Sequence, residues 1–279
     1  NNAISNAADE STMIPQPNAP QTEADDDGAR ADPLFVQSVE KAFRVLTAFN
    51  ARHPTLSLSQ LAAATSLDKS AAQRFAHTLE RLGYLRKNAH TKHFELTTRT
   101  LAPAYCFTQS NPLVQRAIPY LVELARMTEE AVNLSMLERT LVVFVARFMS
   151  PHVIAPHVTV GTLMPAYCTA AGIALLSRLP PAEAEAILRA SNLRPYTPQT
   201  TWRMPDLLAK AAPSRARGYA ICVEEMQAND ISVAAPILGA DGRPVGAVNI
   251  AVSQIRCSAA LAEQRFAPLV ISAAEAISG

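Results

Sequence analysis

From Leu34 onward the apolar positions recur at helical spacing. Val36, Val39, Ala42, Phe43, Leu46 and Phe49 share one face, and the pattern stops before His53-Pro54. Ser57 followed three residues later by Gln60 is a capping-box signature, so a second helix starts there, with Leu58, Leu61 and Ala62 as its apolar side, and ends near Thr65. Asp68 is placed to cap a third helix that runs to about Leu82. Gly83 closes it, because a left-handed residue ends a helix most cheaply without a Cβ. In that third helix Ala72, Phe75, Ala76, Leu79 and Leu82 form an apolar stripe, while Lys69, Ser70, Gln73, Arg74 and His77 fall on the opposite side. Tyr84-Leu85-Arg86 and His93-Phe94-Glu95-Leu96 read as short strands joined by the basic hairpin Lys87-Asn88-Ala89-His90-Thr91-Lys92.

Beyond this module the pattern predicts a connecting helix over 97–109 and a further helix starting at Asn111-Pro112, since proline suits the first helical position. Strands are expected over 132–137 and 141–148 about a turn at Glu138-Arg139-Thr140. Three helices follow over 170–179, 182–190 and 207–217, the last closed by Gly218. Strands over 219–223, 231–238 and 245–252, the latter two joined through Asp241-Gly242, precede a final helix over 259–277. Antiparallel neighbours with helices grouped between them make the fold α+β, with a sensor-like second domain.

Charge sharpens this division. Residues 1–33 hold seven acids against Arg30 and few bulky apolar side chains, so they read as a disordered acidic tail. Residues 34–100 hold ten Lys or Arg against four acids, and the rest of the chain is nearly neutral. The expected organisation is a tail over 1–33, a winged helix-turn-helix DNA-binding domain over 34–98, a linker helix over 99–112 and an effector-binding domain over 113–279. No stretch reaches the roughly 18 apolar residues of a membrane span, so no membrane partner is expected. The four cysteines, Cys106, Cys168, Cys222 and Cys257, form no CxxC pair, and no secretory signal is seen. Reduced thiols in a cytoplasmic protein are the expectation.

The donor-rich third helix supplies the chemistry of the first domain. Gln73 suits bidentate pairing with adenine and Arg74 with guanine, while Lys69 and Ser70 at the helix start suit phosphate. His77 lies on the same side. Lys87, Asn88, His90 and Lys92 of the wing would follow the backbone or enter a minor groove, and Ser38 and Ser57, at the starts of the first two helices, complete the expected DNA contacts.

Two sets of strings carry a family resemblance. The first is Gln37-Ser38-Val39-Glu40-Lys41-Ala42, Leu58-Ser59-Gln60-Leu61-Ala62, Asp68-Lys69-Ser70-Ala71-Ala72-Gln73-Arg74 and Leu82-Gly83-Tyr84-Leu85. The second is Gly218-Tyr219-Ala220, Glu224-Glu225, Val233-Ala234-Ala235-Pro236-Ile237 and the run from Asp241 to Ile250. In this order and spacing the chain resembles the IclR family of bacterial transcription factors. The resemblance implies a winged helix-turn-helix joined to a GAF-like effector-binding domain, assembled as a homodimer or dimer of dimers on double-stranded operator DNA. The string Gly161 to Gly172 resembles the branch that governs aromatic-acid catabolism, including the β-ketoadipate pathway, which implies a small carboxylic-acid effector of aromatic type. By the same resemblance Ala170 and Ala171 form a helix N-terminus near the effector, and Cys222, Ser232 and Asn249 line its pocket. Three positions depart from the family pattern: Cys222 where aspartate is frequent, Asn229 where glycine is, and Ile173 where a basic residue is. Losing a carboxylate at 222 removes an acceptor for a ligand hydroxyl and a source of repulsion toward a ligand carboxylate.

Arg147, at the end of an apolar strand, is a candidate carboxylate fork. Tyr167, His152 and His157 are further effector candidates. A function of a different class, an enzyme or carrier whose first module only dimerises, makes its own demands. Cys222 near Glu224 and Glu225, or Cys168 with His157, would have to assemble a thiol site, and adjacency in sequence does not give that geometry. His90 and His93 are too few for a zinc site, and Gly239, Gly242 and Gly246 match no phosphate loop. A regulator, not an enzyme, with no cofactor and no metal, is the expectation.

Overall fold

The computed structural model describes residues 34–152 and 158–279, so the expected tail over 1–33 and His157 lie outside the described residues. The described chain divides between Phe107 and Thr108 into two units.

The first unit opens with α1 (Gln37–Leu46), β1 (Thr55–Leu56), α2 (Leu58–Thr65) and α3 (Lys69–Arg81), followed by β2 (Leu85–Lys87) and β3 (Phe94–Leu96). The caps are those the sequence predicts. Ser57 Oγ accepts the Gln60 N–H while the Gln60 side chain accepts that of Ser57, and Asp68 Oδ1 accepts the Ala71 N–H at 2.8 Å. Ser66 takes a left-handed conformation (φ 54°) at the end of α2, which makes the turn into α3 short. Gly83 (φ 82°) ends α3, with the Tyr84 N–H returning to the Leu79 carbonyl at 2.9 Å.

Val45, Phe49, Leu56, Leu61, Ala76, Leu79, Leu85 and Phe94 form this unit's core. Two expectations are corrected. Leu82 belongs to the predicted apolar stripe but is 53% exposed, because it already sits past the last helical turn. Thr55–Leu56, not foreseen as a strand, pairs with β3 and places it between β1 and β2, which anchors the wing at its base. The connecting segment begins with a 3-10 turn at Thr98–Thr100 and continues as α4 (Leu101–Ser110).

The second unit contains α5 (Pro112–Thr128), β4 (Ala131–Glu138), β5 (Leu141–Phe148), β6 (Leu163–Pro165), α6 (Ala170–Arg178), α7 (Pro181–Ala190), α8 (Met204–Arg217), β7 (Ala220–Val223), β8 (Asp230–Leu238), β9 (Pro244–Ser253) and α9 (Ala259–Ile277). Its six-stranded antiparallel sheet has the order β6-β5-β4-β9-β8-β7. One face carries Val132, Leu134, Ile231, Val233, Val248 and Ile250 against α5 and α9. The other packs Val142, Phe144, Ala234 and Ala247 with α6, α7 and α8.

Two local features shape the sheet face beneath α6. A bulge between Leu134 and Ser135 gives β5 one residue more than its partner, so Phe144 pairs with Ser135 and Arg147 with Asn133. Val145 and Ala146 both turn to the α5–α9 face, which leaves Phe144 and Arg147 on the same side despite their odd separation. The second feature is the approach of α6 to the preceding 3-10 turn (Ala166–Cys168). A Cβ on Gly172 would stand 2.1 Å from the Ala166 carbonyl oxygen, so only glycine fits.

Candidate functional site

In the first unit the side chains of Lys69, Ser70, Gln73, Arg74 and His77 are exposed along one side of α3. Among the described residues none of the five side chains makes a hydrogen bond or ion pair. Unpaired donors on a short strip at a helix N-terminus suit phosphate oxygens and base edges. Ser38 is exposed in the first turn of α1, whereas Ser57 is half-buried and its oxygen is spent on the α2 cap.

The wing is shaped by its own polar groups. Asn88 Oδ1 accepts the His90 and Thr91 N–H groups at 2.9 and 3.0 Å, which leaves only its NH₂ for a partner. The Lys87 ammonium lies 5.2 Å from the Phe94 ring centroid, and Arg86 pairs with Glu95 at 2.6 Å. His90 and Lys92 are exposed at the tip.

In the second unit a cavity of about 90 Å³ opens on the sheet face covered by α6. Register explains its floor. Arg147, Asn133 and Asn249 are direct neighbours across β5, β4 and β9, and the adjacent row is Ala131, Ala251, Ser232 and Cys222 across β4, β9, β8 and β7. The first row supplies polar heads. The second is small, which leaves room above it.

Apolar walls come from Val142, Phe144 and Met164, and the start of α6 contributes Thr169, Ala170 and Ala171. Thr169 caps that helix by accepting the Gly172 N–H, and Ala170 and Ala171 are its first two residues, whose N–H groups have no acceptor within the helix. An anion at this point meets the positive end of the helix dipole.

The ionisable groups around the cavity are mutually arranged. Arg147 Nη1 donates to Asn133 Oδ1 at 2.8 Å. Burial lowers the Arg147 pKa, and the Asp230 carboxylate opposes that shift. Burial likewise pushes the Asp230 carboxyl up to about 7, with Arg147 pulling the other way. Glu225 accepts from Lys210 of α8 and from the Thr201 N–H at 3.2 Å, so its charge is balanced at the cavity edge. Lys210 also reaches Cys222 Sγ at 3.5 Å, yet burial still raises the Cys222 thiol to about 12. Burial raises Cys168 as well, and its sulfur lies 3.7 Å from Met226 Sδ. Protonated buried thiols are poor nucleophiles.

Of the effector candidates, Arg147, Ala170, Ala171, Cys222, Ser232 and Asn249 line this one cavity. Tyr167 does not, and the structure corrects its assignment. Its ring is buried in the core, and its hydroxyl donates to the Arg194 carbonyl at 2.7 Å while accepting the Arg194 N–H at 3.1 Å. His152 is exposed and outside the lining. Asn133 and Asp230 were missed, and Glu225 was weighed only as a partner of a Cys222 thiol site. The available signal for Asn133 was a polar residue alternating into an otherwise apolar strand, Val132-Asn133-Leu134.

Residues 38–89 match the family model described as the IclR helix-turn-helix domain, and residues 106–279 match that described as bacterial transcriptional regulator IclR C-terminal. The Pca regulon regulatory protein of Pseudomonas putida is 30% identical over 243 residues, which cover 87% of this chain and 83% of that protein. The p-hydroxybenzoate hydroxylase transcriptional activator of Acinetobacter baylyi is 29% identical over 220 residues, covering 77% of this chain and 80% of that protein. The crystal structure of a transcriptional regulator from Rhodococcus sp. RHA1 superposes with a TM-score of 0.76 at 33% identity, over 87% of this chain and 97% of that one.

Proposed function

The chain belongs to the IclR family of bacterial transcriptional regulators, and on that premise we propose that it binds operator DNA through α3 and its wing under the control of a small aromatic carboxylic acid. The observation that carries the DNA reading is the strip of unpaired donors Lys69, Ser70, Gln73, Arg74 and His77 on one side of α3. Winged helix-turn-helix (34–98), linker helix (99–112) and effector domain (113–279) then divide binding, coupling and sensing. Such a regulator acts in the cytoplasm on DNA and carries out no reaction of its own.

The effector reading rests on the cavity. The first turn of α6 and the Arg147 guanidinium both favour an anion, apolar walls favour a ring, and one relative is named as the transcriptional activator of p-hydroxybenzoate hydroxylase. Ligand binding would bias the relative population of two arrangements of the assembled protein, and so its grip on the operator. Calorimetry with hydroxybenzoates and related aromatic acids tests this directly. Arg147→Ala should weaken the acid that binds by roughly 10- to 100-fold, the value of a hydrogen bond to a charged group. Unaltered affinity would remove Arg147 from the site.

A homodimer, or a dimer of such dimers, fits the apolar surface of the first unit. Val36, Val39 and Phe43 repeat on one side of α1 and are all exposed, as is Leu101 at the start of α4. Pairing through this surface would set two copies of α3 one helical turn, or a multiple of it, apart along an inverted repeat. Val39→Asp together with Phe43→Asp should reduce the mass seen by light scattering from that of a pair to that of a single chain. An assembly unchanged by both substitutions would place the interface elsewhere.

A further inference from the structure

We propose that Asn249 selects effectors that carry a hydrogen-bond donor in addition to their acidic group, a reading that rests on the aromatic-acid effector proposed above. Asn249 lies in the middle of β9, between Asn133 on β4 and Ala234 on β8. Its Nδ2 donates to Ser232 Oγ at 3.0 Å, which fixes one end of the amide. Its Oδ1 is buried, on a residue only 5% exposed, and has no hydrogen-bond partner among the described residues.

Both Asn249 and Ser232 line the cavity, so the amide that carries this unpaired acceptor borders the space that a ligand enters. The neighbouring acceptor, Asn133 Oδ1, is already taken by Arg147. Ser135 Oγ is also buried without a partner, but it stands outside the cavity lining.

The remaining polar groups of the cavity divide by sign. Arg147 and the first N–H groups of α6 donate, and they hold an acid without distinguishing what else it carries. A carbonyl oxygen repels a carboxylate and accepts only from a donor, so it turns the acid away and rewards a hydroxyl or amino group on the far side of the ligand. Because β4 separates Arg147 from Asn249, the acidic and donor groups are read at different places. Leaving a buried acceptor unfilled is unfavourable, and a ligand without the donor keeps it unfilled.

Fluorine imitates a hydroxyl in size without donating a proton, which gives a clean comparison. Calorimetry on the full chain would pair 4-hydroxybenzoate with 4-fluorobenzoate and 3-hydroxybenzoate with 3-fluorobenzoate. In at least one pair the hydroxy acid should bind roughly 10-fold or more tightly, and Asn249→Leu should bring that ratio close to one. Should Asn249→Leu fail to fold, Ser232→Ala frees the amide to rotate and should lower the same ratio. Equal affinities within both pairs would overturn the proposal while leaving the aromatic-acid reading intact. A preference that persists in Asn249→Leu, or in Ser232→Ala where that variant stands in, overturns it likewise, and no binding by any of the four acids overturns both readings.

Discussion

Replacing Arg74 with alanine should lower affinity for the cognate operator by roughly 30-fold to 10⁴-fold. A bidentate base contact is worth about 1–3 kcal/mol, and a paired protein loses it at two well-separated half-sites. Arg74 is exposed in the first half of α3, and its side chain has no partner among the described residues, so the substitution leaves the core of its own unit alone. Random DNA should lose far less, since phosphate attraction is spread over Lys69, the wing and the helix terminus. Anisotropy titrations on the two DNAs, repeated across a series of salt concentrations, separate these effects. A steep fall of affinity with salt is expected for both, and the selective loss for one. Equal losses on the two would exclude Arg74 from base reading.

Gly172→Ala should destabilise the effector unit by about 3 kcal/mol or more, and the sign of the effect is diagnostic. In an open helix alanine is favoured over glycine by about 1 kcal/mol, so a harmless substitution would raise the melting temperature. Here the new methyl would meet backbone, 2.1 Å from the Ala166 oxygen and 2.4 Å from its Cα, and neither atom belongs to a flexible side chain. Overpacking of this kind costs about 1–3 kcal/mol where side chains can yield, and more where they cannot. For a unit of this size that corresponds to a fall of roughly 6–12 °C in melting temperature. The effector response should fail with it, because the 3-10 turn carrying Ala166 leads directly into Cys168, Thr169 and Ala170 at the cavity. A melting temperature equal to or above that of the unaltered protein would show that the turn yields.

The DNA-binding unit was legible from local chemistry. Ser57, Gln60, Asp68 and Gly83 each fix a helix end through interactions three to five residues apart, and α2 and α3 follow from them. What escaped was too short for periodicity. Thr55–Leu56 is stabilised by Phe94 and Glu95 from the wing, a partnership that no local pattern announces. Leu163–Pro165 contains a proline that demotes a strand, and it is tolerated because β6 lies at the sheet edge. The cavity was legible only in part. Arg147, Cys222, Ser232 and Asn249 were candidates, but their gathering depends on strand order, which brings residues more than 100 positions apart into one row. Asn133, Asp230 and Glu225 gain their meaning only from that order, while Tyr167 looked available until its hydroxyl was found committed to Arg194.

The extra residue of β5 carries a consequence for how effector choice can change. Arg147 shares the cavity with Phe144 only because Val145 and Ala146 are both accommodated on the opposite face. Removing one of them would keep Phe144 and Arg147 on one side, two positions apart, whereas removing both would set the two in direct succession and swing the guanidinium toward the hydrocarbon beneath α5, a larger alteration than any exchange of side chain at position 147. Loss of that pair, rather than point substitution, is therefore the abrupt route by which a descendant of this regulator would give up the anionic effector proposed for it.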